Sequence, residues 1–282
     1  MDKDITAGND QGYAHHIDEK PMDNPVNLPQ EGDYNNNISQ QYPVDIKNSQ
    51  NSEDDQMIKA QIRNGFIRKV FGIVAIQLTF TFCFILLCHT KAIKGFIARN
   101  EGFCALLFTA SIISFIVSVC IITCNRRLAR KVPTNYFLLS LVTFSESILS
   151  TAASINFPVE IVISAIVLTI AASLGIITYT LKTKRDLSGC GMTLFVLISQ
   201  LFFFGFLNLF IRSQFLNMVY CFISTLIIGL YLVYDVQLIS GKFGIEYSID
   251  DYIFAAMELY IDIIRLFLEI LRILAKFQRN NN

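Results

Sequence analysis

The chain has 282 residues, of which 53 % are hydrophobic and only 16 % are charged, and its formal net charge at pH 7 is zero. A soluble domain carries about 25 % charged residues, so this composition argues against a soluble protein and favours an all-α membrane protein. The balanced charge gives no sign of a nucleic-acid partner, and we expect none.

Residues 1–57 form an acidic segment that is rich in Asn and Gln. It holds twelve acidic residues against three lysines, and it has few apolar side chains. Such a segment cannot bury enough surface to offset the entropy of ordering. We therefore predict a disordered cytoplasmic tail over 1–57, followed by one membrane domain over 58–282.

Seven apolar segments follow, separated by short charged joints. Each is close to or above the length of roughly 20 residues that spans a bilayer core. They are Val70–Cys88, Gly102–Asn125, Val132–Pro158 (interrupted only by Glu146), Ile161–Leu181, Leu187–Ile211, Phe215–Tyr234 and a last segment that starts near Tyr252. The sequence predicts a seven-transmembrane-helix bundle.

Basic residues are distributed unevenly over the joints, which sets the expected orientation. With a cytoplasmic N-terminus the inner side holds Lys59, Arg63, Arg68, Lys69, Arg126, Arg127, Arg130, Lys131, Lys182, Lys184, Arg185 and Lys242. The outer side holds Lys91, Lys94, Arg99 and Arg212, joined by Arg272, Lys276 and Arg279 if the last segment crosses. The excess predicts a cytoplasmic N-terminus. A re-entrant or interfacial last segment would move its three basic residues inside, and the sequence leaves both arrangements open.

The last segment contains MELYIDIIRLFLEILRILAKF over residues 257–277, and it carries a stripe of charges. At about 100° per residue these side chains fall within roughly 80° of the helix circumference. They are Glu258, Asp262, Arg265, Glu269 and Arg272. The mixed signs pair at i,i+3 and i,i+4 spacing. This favours a helix buried among others over an amphipathic helix lying flat on the membrane.

Further ionisable residues lie in or at the ends of other spans. Glu146 is in the middle of the third, Asp235 closes the sixth and Arg126 ends the second. A charge at the bilayer centre costs about 2.5–3.5 kcal/mol on insertion scales, so such groups tend to face a protein interior or a watery cavity. Snorkelling explains charges at span ends, but together these residues indicate a polar interior with a function.

The chain resembles the transmembrane Bax inhibitor motif family, and in particular its Lifeguard branch, from about residue 62 to 276. The motifs that carry the resemblance are IRNGFIRKVFGIVAIQLTFT, RRLARKVPTNYFLLSLVTFSES, TYTLKTKRDLS, FGFLNLF, YLVYDVQLISG and DDYIFAAMELYIDIIRLFLEILRIL, in this order. The resemblance implies a seven-helix bundle that leaks calcium through internal membranes, such as those of the endoplasmic reticulum or Golgi, and protects cells against death signals.

The resemblance also implies roles for single residues. Asp235 in VYDVQ and Asp262 in YIDII would share a proton as pH sensor and gate, and would bind Ca²⁺ transiently. Arg126 would hydrogen-bond to this pair as a latch, with Arg127 and Arg130 as alternatives.

Four further residues are expected to modulate the pore or the sensor. Glu146 matches an acid that some branches of the family place in the third helix. Relatives usually have Asn at the positions of Glu258 and Arg265, and Glu269 continues the charged stripe. We hypothesise that Arg265 shifts the sensing range toward lower pH. Glu258 would offset this shift, and the sequence leaves open which of the two residues dominates.

Elementary electrostatics agrees with a sensor of this kind. Two carboxylates within a few ångströms cannot both ionise cheaply, so they share a proton and titrate as a unit. A neighbouring guanidinium favours their ionised form. Carboxylate oxygens are also the ligands that Ca²⁺ prefers. We expect Ca²⁺ as a permeant ion and no bound cofactor.

Two other functions, an intramembrane protease and a non-conducting adaptor, are alternatives to a channel. Paired aspartates on successive membrane helices also occur in intramembrane aspartyl proteases, which have Gly-x-Gly before the second aspartate and a later Pro-Ala-Leu motif. Here Leu-Tyr-Ile precedes Asp262 and no such tripeptide follows, so we expect no enzyme. The alternative to a channel is a non-conducting membrane adaptor that modulates cell-death regulators or calcium-release channels.

Overall fold

The computed structural model describes the backbone of residues 31–281, apart from 187, 212, 243 and 245. Side chains are described over 54–279, apart from those four and 188, 208, 209 and 214. Arg212 therefore lies outside the described residues, as do residues 1–30. The tail over 1–57 and its boundary with the membrane domain stay predictions, but the disorder predicted for residues 31–57 does not agree with the helix that the structure shows there. Residues 56–282 form one compact unit.

Within the described residues the chain consists of α-helices and two short 3-10 turns. The helices are α1 (Glu31–Cys88), α2 (Lys91–Arg99), α3 (Glu101–Cys124), α4 (Arg126–Arg130), α5 (Thr134–Ser154), α6 (Val159–Lys182), α7 (Gly191–Ile211), α8 (Gln214–Ser240) and α9 (Tyr252–Asn281). The predicted all-α class is confirmed for this part of the chain.

Five of these helices are long and apolar enough to cross a membrane. They are the Asp54–Cys88 part of α1, then α3, α5, α6 and the Phe215–Ser240 part of α8. In α7 the apolar stretch is shorter, Gly191–Leu207, and α9 carries the charged stripe. The membrane character of the chain is confirmed, whereas the number of seven crossings stays a prediction.

The central helix of the bundle is α9. Its side chains from Ile253 to Leu271 are mostly buried, and the fully buried ones include the large Tyr260 and Phe267. The helices α5, α6 and α8 pack against it. This placement explains the narrow charged stripe, because protein rather than lipid surrounds most of the helix. It agrees with the buried interpretation of the stripe and not with a helix lying flat on the membrane.

One end of the bundle gathers several of the basic joints. Arg130 of α4 binds Asp251, which directly precedes α9. Gln237 near the end of α8 donates to the carbonyl of Arg185, beyond α6, at 2.8 Å. The ends of α3, α6 and α8 and the start of α9 therefore meet at one end, which we call the basic end.

Other contacts mark the opposite end. His89 Nε2, just after α1, lies 3.2 Å from the carbonyl oxygen of Ser154 at the end of α5. Lys276 Nζ near the end of α9 lies 3.2 Å from Cys221 Sγ near the start of α8. Since α9 begins at the basic end and reaches the start of α8, it runs the length of the bundle antiparallel to α8.

Buried polar side chains connect α1, α5 and α9. Thr81 Oγ1 lies 2.9 Å from Ser147 Oγ and 2.8 Å from Tyr260 Oη. Gln77 Nε2 donates to Thr143 Oγ1 at 2.8 Å. In apolar surroundings such interhelical bonds contribute about 0.6–2 kcal/mol each. They set the register of the three helices.

Candidate functional site

Two aspartates of neighbouring helices meet inside the bundle. Asp235, near the end of α8, is 5 % exposed, and Asp262, in the middle of α9, is 8 % exposed. Their carboxyl groups are neighbours that interact directly with each other. Two carboxylates this close cannot both ionise cheaply, so we expect the pair to share one proton. The structure thus brings together the two acids that the sequence analysis paired.

A third acid lies beside them. Glu258 is one turn before Asp262 on α9, and its Oε2 accepts a hydrogen bond from the hydroxyl of Tyr247 in the α8–α9 connection. Electrostatic interactions link Glu258 to both aspartates. We call Asp235, Glu258 and Asp262 the acid cluster. It places three carboxyl groups and one phenol in a single polar region.

Arg265 supplies a cation at the edge of the acid cluster. Its Nη1 lies 3.8 Å from Asp262 Oδ1, as the i,i+3 spacing predicts, and its side chain is 51 % exposed. It also interacts electrostatically with Asp235 and with Glu146. Its exposure weakens each of these interactions through screening.

Glu146 lies on α5 and faces α9. Its side chain is buried, and Ser150 Oγ donates to its Oε1 at 3.4 Å. It interacts electrostatically with Arg265 and Tyr260 of α9. Among the described side chains it forms no hydrogen bond with the acid cluster, so Arg265 is what connects the two.

Glu269 lies two turns beyond Asp262, toward the end opposite the basic end. Its Oε1 accepts a hydrogen bond from Arg272 Nη1 at 2.8 Å. Its Oε2 is buried and has no partner in the part of the chain that the structure describes. Glu269 therefore belongs to the charged stripe but not to the acid cluster.

Arg126 makes no hydrogen bond or ion pair with Asp235 or Asp262 in this structure, although its charge acts on Glu258. Its Nη1 lies 3.2 Å from Asp251 Oδ2, and its guanidinium carbon lies 4.0 Å from the centre of the Phe254 ring. Arg130 donates two further hydrogen bonds to Asp251, from Nε at 2.8 Å and from Nη2 at 2.9 Å. The predicted contact between Arg126 and the aspartate pair is not formed. The physical reason is that Asp251 lies at the basic end beside α4 and draws both arginines to itself.

The sequence analysis missed Asp251, although a signal was present. The arginine-rich RRLAR after α3 needs acidic partners, and DD before α9 is an acidic pair at a span end. Hydrogen bonding from Arg130, together with the charges of Arg126 and Arg130, holds the pKa of Asp251 below its ordinary value. Asp251 is thus ionised at neutral pH and ties α4 to α9.

The sequence analysis also missed the role of Arg63, which it counted only as an inner basic residue. Arg63 Nη1 donates to the carbonyl of Tyr247 at 2.8 Å, and Nη2 donates to the carbonyl of Leu238. The same Nη1 lies 3.3 Å from Glu246 Oε2. These contacts join α1 to the end of α8 and to the α8–α9 connection. No spacing rule in the sequence indicates them.

The sequence of this chain matches known proteins over most of its length. Residues 63–279 match the family described as "Inhibitor of apoptosis-promoting Bax1". The "Golgi anti-apoptotic protein" of Vaccinia virus (strain Lister) is 32 % identical over 216 residues, which cover 76 % of this chain and 86 % of that protein. "Protein lifeguard 4" of Mus musculus is 31 % identical over 214 residues, covering 76 % and 85 %. "Protein lifeguard 3" of Homo sapiens is 29 % identical over 219 residues, covering 76 % and 69 %.

The matched region contains the acid cluster, Arg63, Arg126 and Asp251. Family membership therefore extends over the whole helix bundle and its site. The chain belongs to the Bax inhibitor motif family, and the Lifeguard proteins are among its relatives.

Proposed function

We propose that this protein is a pH-sensitive calcium leak channel of internal membranes, which contributes to calcium homeostasis and restrains cell death. The observation that carries the proposal is that the carboxyl groups of Asp235 and Asp262 are both buried and lie next to each other. A pair that shares one proton changes its total charge when that proton leaves. Such a pair inside a helix bundle therefore couples pH to helix packing.

The size of the electrostatic effect is large enough for a switch. Two unit charges 4 Å apart repel by about 4 kcal/mol at an effective dielectric constant of about 20. The repulsion is relieved when α8 and α9 move apart or when a cation enters between the carboxylates. Ca²⁺ prefers carboxylate oxygens, so the same residues serve as transient ligands for the permeant ion.

We propose that Ca²⁺ binds to these carboxylates only transiently, while it passes through the protein. Within the part of the chain that the structure describes, no group of three or more His, Cys, Asp or Glu side chains is arranged to hold a metal ion. Two carboxylates that share a proton bind a cation only after the proton leaves. This competition gives the leak its dependence on pH, and the proposal needs no bound cofactor.

We further propose that seven helices cross the membrane. In addition to the five candidate spans, α7 and α9 cross the membrane. The charged stripe of α9 faces the interior of the bundle. The basic end then lies in the cytoplasm, because basic residues concentrate on that side, and the N-terminus is cytoplasmic. The basic residues Arg272, Lys276 and Arg279 lie on the other side.

The relatives support the cellular part of the proposal. The Vaccinia virus relative is named a Golgi anti-apoptotic protein, which favours the Golgi or the endoplasmic reticulum and a role against cell death for this chain. The lipid bilayer and Ca²⁺ are the proposed partners. We propose no enzymatic activity, since the protease signature around the second aspartate is missing from the sequence.

The decisive test is calcium release from liposomes that contain only the purified protein. We expect release that is faster than from protein-free vesicles and that changes with pH between about 5 and 8, because the charge of a proton-sharing acid pair changes when its proton leaves. Release no faster than from protein-free vesicles at any pH in this range would reject the channel. The non-conducting adaptor that binds cell-death regulators or calcium-release channels would then be the better interpretation.

Arg265 is expected to set the pH at which release changes. Its charge favours the ionised form of the acid pair, so Arg265→Asn should move the midpoint of the pH dependence upward. A half-exposed ion pair contributes about 0–1 kcal/mol, and about 1.36 kcal/mol corresponds to one pH unit. The expected shift is therefore about half a pH unit, measured as the midpoint of liposome release against pH.

The matched control for Arg265 is Arg272→Asn. Arg272 also pairs with an acid at i,i+3 and is 49 % exposed, but its partner is Glu269. Because Glu269 is outside the acid cluster, this substitution should leave the midpoint unchanged. An unchanged midpoint in Arg265→Asn would show that Arg265 does not tune the sensor.

A further inference from the structure

The α8–α9 connection covers the acid cluster at the basic end. Glu258 is one turn nearer to that end than Asp262, and the Tyr247 hydroxyl donates to it from the connection. The Tyr247 ring packs edge-on against Phe254, with 5.6 Å between the ring centres. Tyr247 also interacts electrostatically with Asp235. This tyrosine therefore lies between the acid cluster and the solvent at the basic end.

Arg63 of α1 holds the backbone of this tyrosine in place. It binds the carbonyl oxygens of Tyr247 and Leu238, and it pairs with Glu246. The last carbonyls of a helix have no partner within the helix, and Leu238 carries one of these groups at the end of α8. The Tyr247 N–H donates to this carbonyl as well, at 3.3 Å. One guanidinium thus fastens the connection onto the end of α8, one turn from Asp235.

Gly241 makes room for this arrangement. It follows α8 with φ of +65°, a left-handed conformation that favours glycine. A Cβ atom added there would clash with Glu246 Oε2 and would lie 2.8 Å from Arg63 Nε. The residue that ends α8 is therefore also the residue that lets the guanidinium approach.

Basic side chains also bind the part of the α8–α9 connection that leads into α9. Asp251 is bound by Arg126 and Arg130, and Lys69 Nζ lies 3.3 Å from the centre of the Tyr252 ring. The connection is thus fixed at both ends by basic residues of α1 and α4.

We propose that Tyr247 is the gate residue that closes the acid cluster toward the basic end, and that Arg63 is the positioning residue that holds this gate shut. The proposal rests on the proposed channel function. An ion that leaves the acid cluster at the basic end must displace the phenol from Glu258. Burial raises the pKa of Tyr247, so the phenol keeps its proton and goes on donating near neutral pH.

The test compares calcium release from liposomes for the parent protein and for Tyr247→Phe and Arg63→Gln. The first substitution keeps the ring and removes the donor, and the second removes the cation that holds the backbone. We expect about tenfold faster release from each variant at neutral pH, which corresponds to about 1.4 kcal/mol in the barrier. The matched controls are Tyr179→Phe and Arg68→Gln, whose parent side chains are exposed. Both controls should release calcium at the parent rate.

Hydrogen–deuterium exchange of residues 246–251 gives a readout that does not depend on flux. Arg63→Gln should speed exchange of this segment, including the Tyr247 amide, while exchange in the middle of α9 stays slow and shows that the bundle is folded. Parent-like release from Tyr247→Phe, or parent-like release from Arg63→Gln despite faster exchange of the segment, would overturn the gate. Absence of release from the parent itself would instead reject the channel function on which the gate rests.

Discussion

Calcium release through the Asp235→Asn variant is expected to be almost independent of pH. Asn has the shape of a neutral carboxylic acid and has no proton to lose, so the step in which the pair goes from one negative charge to two is removed. The ionised Asp262 then carries the single negative charge that the parent pair has while it shares a proton. The variant should behave at every pH as the parent does at acidic pH. For a single titrating proton the ionised fraction changes by up to about tenfold per pH unit, and this dependence should vanish. The measurement is liposome release between about pH 5 and pH 8.

Replacing the second aspartate, Asp262, should have the same effect. Because the two groups titrate as one unit, Asp262→Asn should flatten the same pH profile, and the double variant should add little to either single one. Glu160→Gln is the matched control, since Glu160 is an exposed acid at the start of α6. A parent-like pH profile in Asp235→Asn would show that another group senses the proton.

Asp251→Asn should cause the largest loss of stability among substitutions at the basic end. It leaves Arg126 and Arg130 without the carboxylate that joins α4 to α9, and Asp251 itself is buried. Breaking a buried ion pair costs about 3–5 kcal/mol, but both arginines are nearly half exposed, so screening lowers this to about 1–2 kcal/mol. For a bundle of this size we expect a decrease in Tm of about 3–6 °C. Thermal unfolding in detergent measures it.

The pH dependence of this loss has a defined sign. The pKa of Asp251 is lower in the folded protein than in the unfolded chain. Its contribution to the free energy of unfolding is therefore complete above the ordinary pKa of about 4 and is lost as the pH falls through the folded-state value. The difference in Tm between parent and Asp251→Asn should be the same at pH 7 and about pH 5, and should shrink toward about pH 3.

Asp250→Asn is the control for these unfolding experiments. Asp250 is the exposed neighbour of Asp251 and should change Tm by less than about 1 °C, as is usual for surface sites. Equal effects of the two substitutions would contradict the structural role of Asp251.

The sequence predicts the bundle well because the membrane imposes simple rules. Long apolar runs give the spans, and all backbone groups must be satisfied inside helices. The i,i+3 and i,i+4 pattern places Asp262 and Arg265 on one face of α9, and the structure shows them paired. The pairing of Asp235 with Asp262 needed the family motifs, since they are 27 positions apart in the chain and no periodicity connects them.

The contacts at the basic end could not be predicted in the same way. Arg126 has Asp251 and the acid cluster as potential partners, and the choice depends on where α4 turns after α3. Arg63 donates to the carbonyl oxygens of Leu238 and Tyr247. Because every residue has a backbone carbonyl, the sequence does not indicate which of them accepts a hydrogen bond. Such contacts arise from the packing of helices distant in the chain. Residue types alone indicate that a basic residue is present, not what it binds.

The burial of α9 has a consequence for how the protein is made. The part of α9 from Glu258 to Glu269 contains four charged residues. By itself such a helix would enter a bilayer poorly, because each charge near the centre costs about 2.5–3.5 kcal/mol. Its charges are tolerated only where α5, α6 and α8 already surround them. Because α9 follows α5, α6 and α8 in the chain, it should be integrated after them, into the space that these helices already surround. Chains that stop before residue 252 should leave this cavity unfilled and should be recognised and degraded during biogenesis.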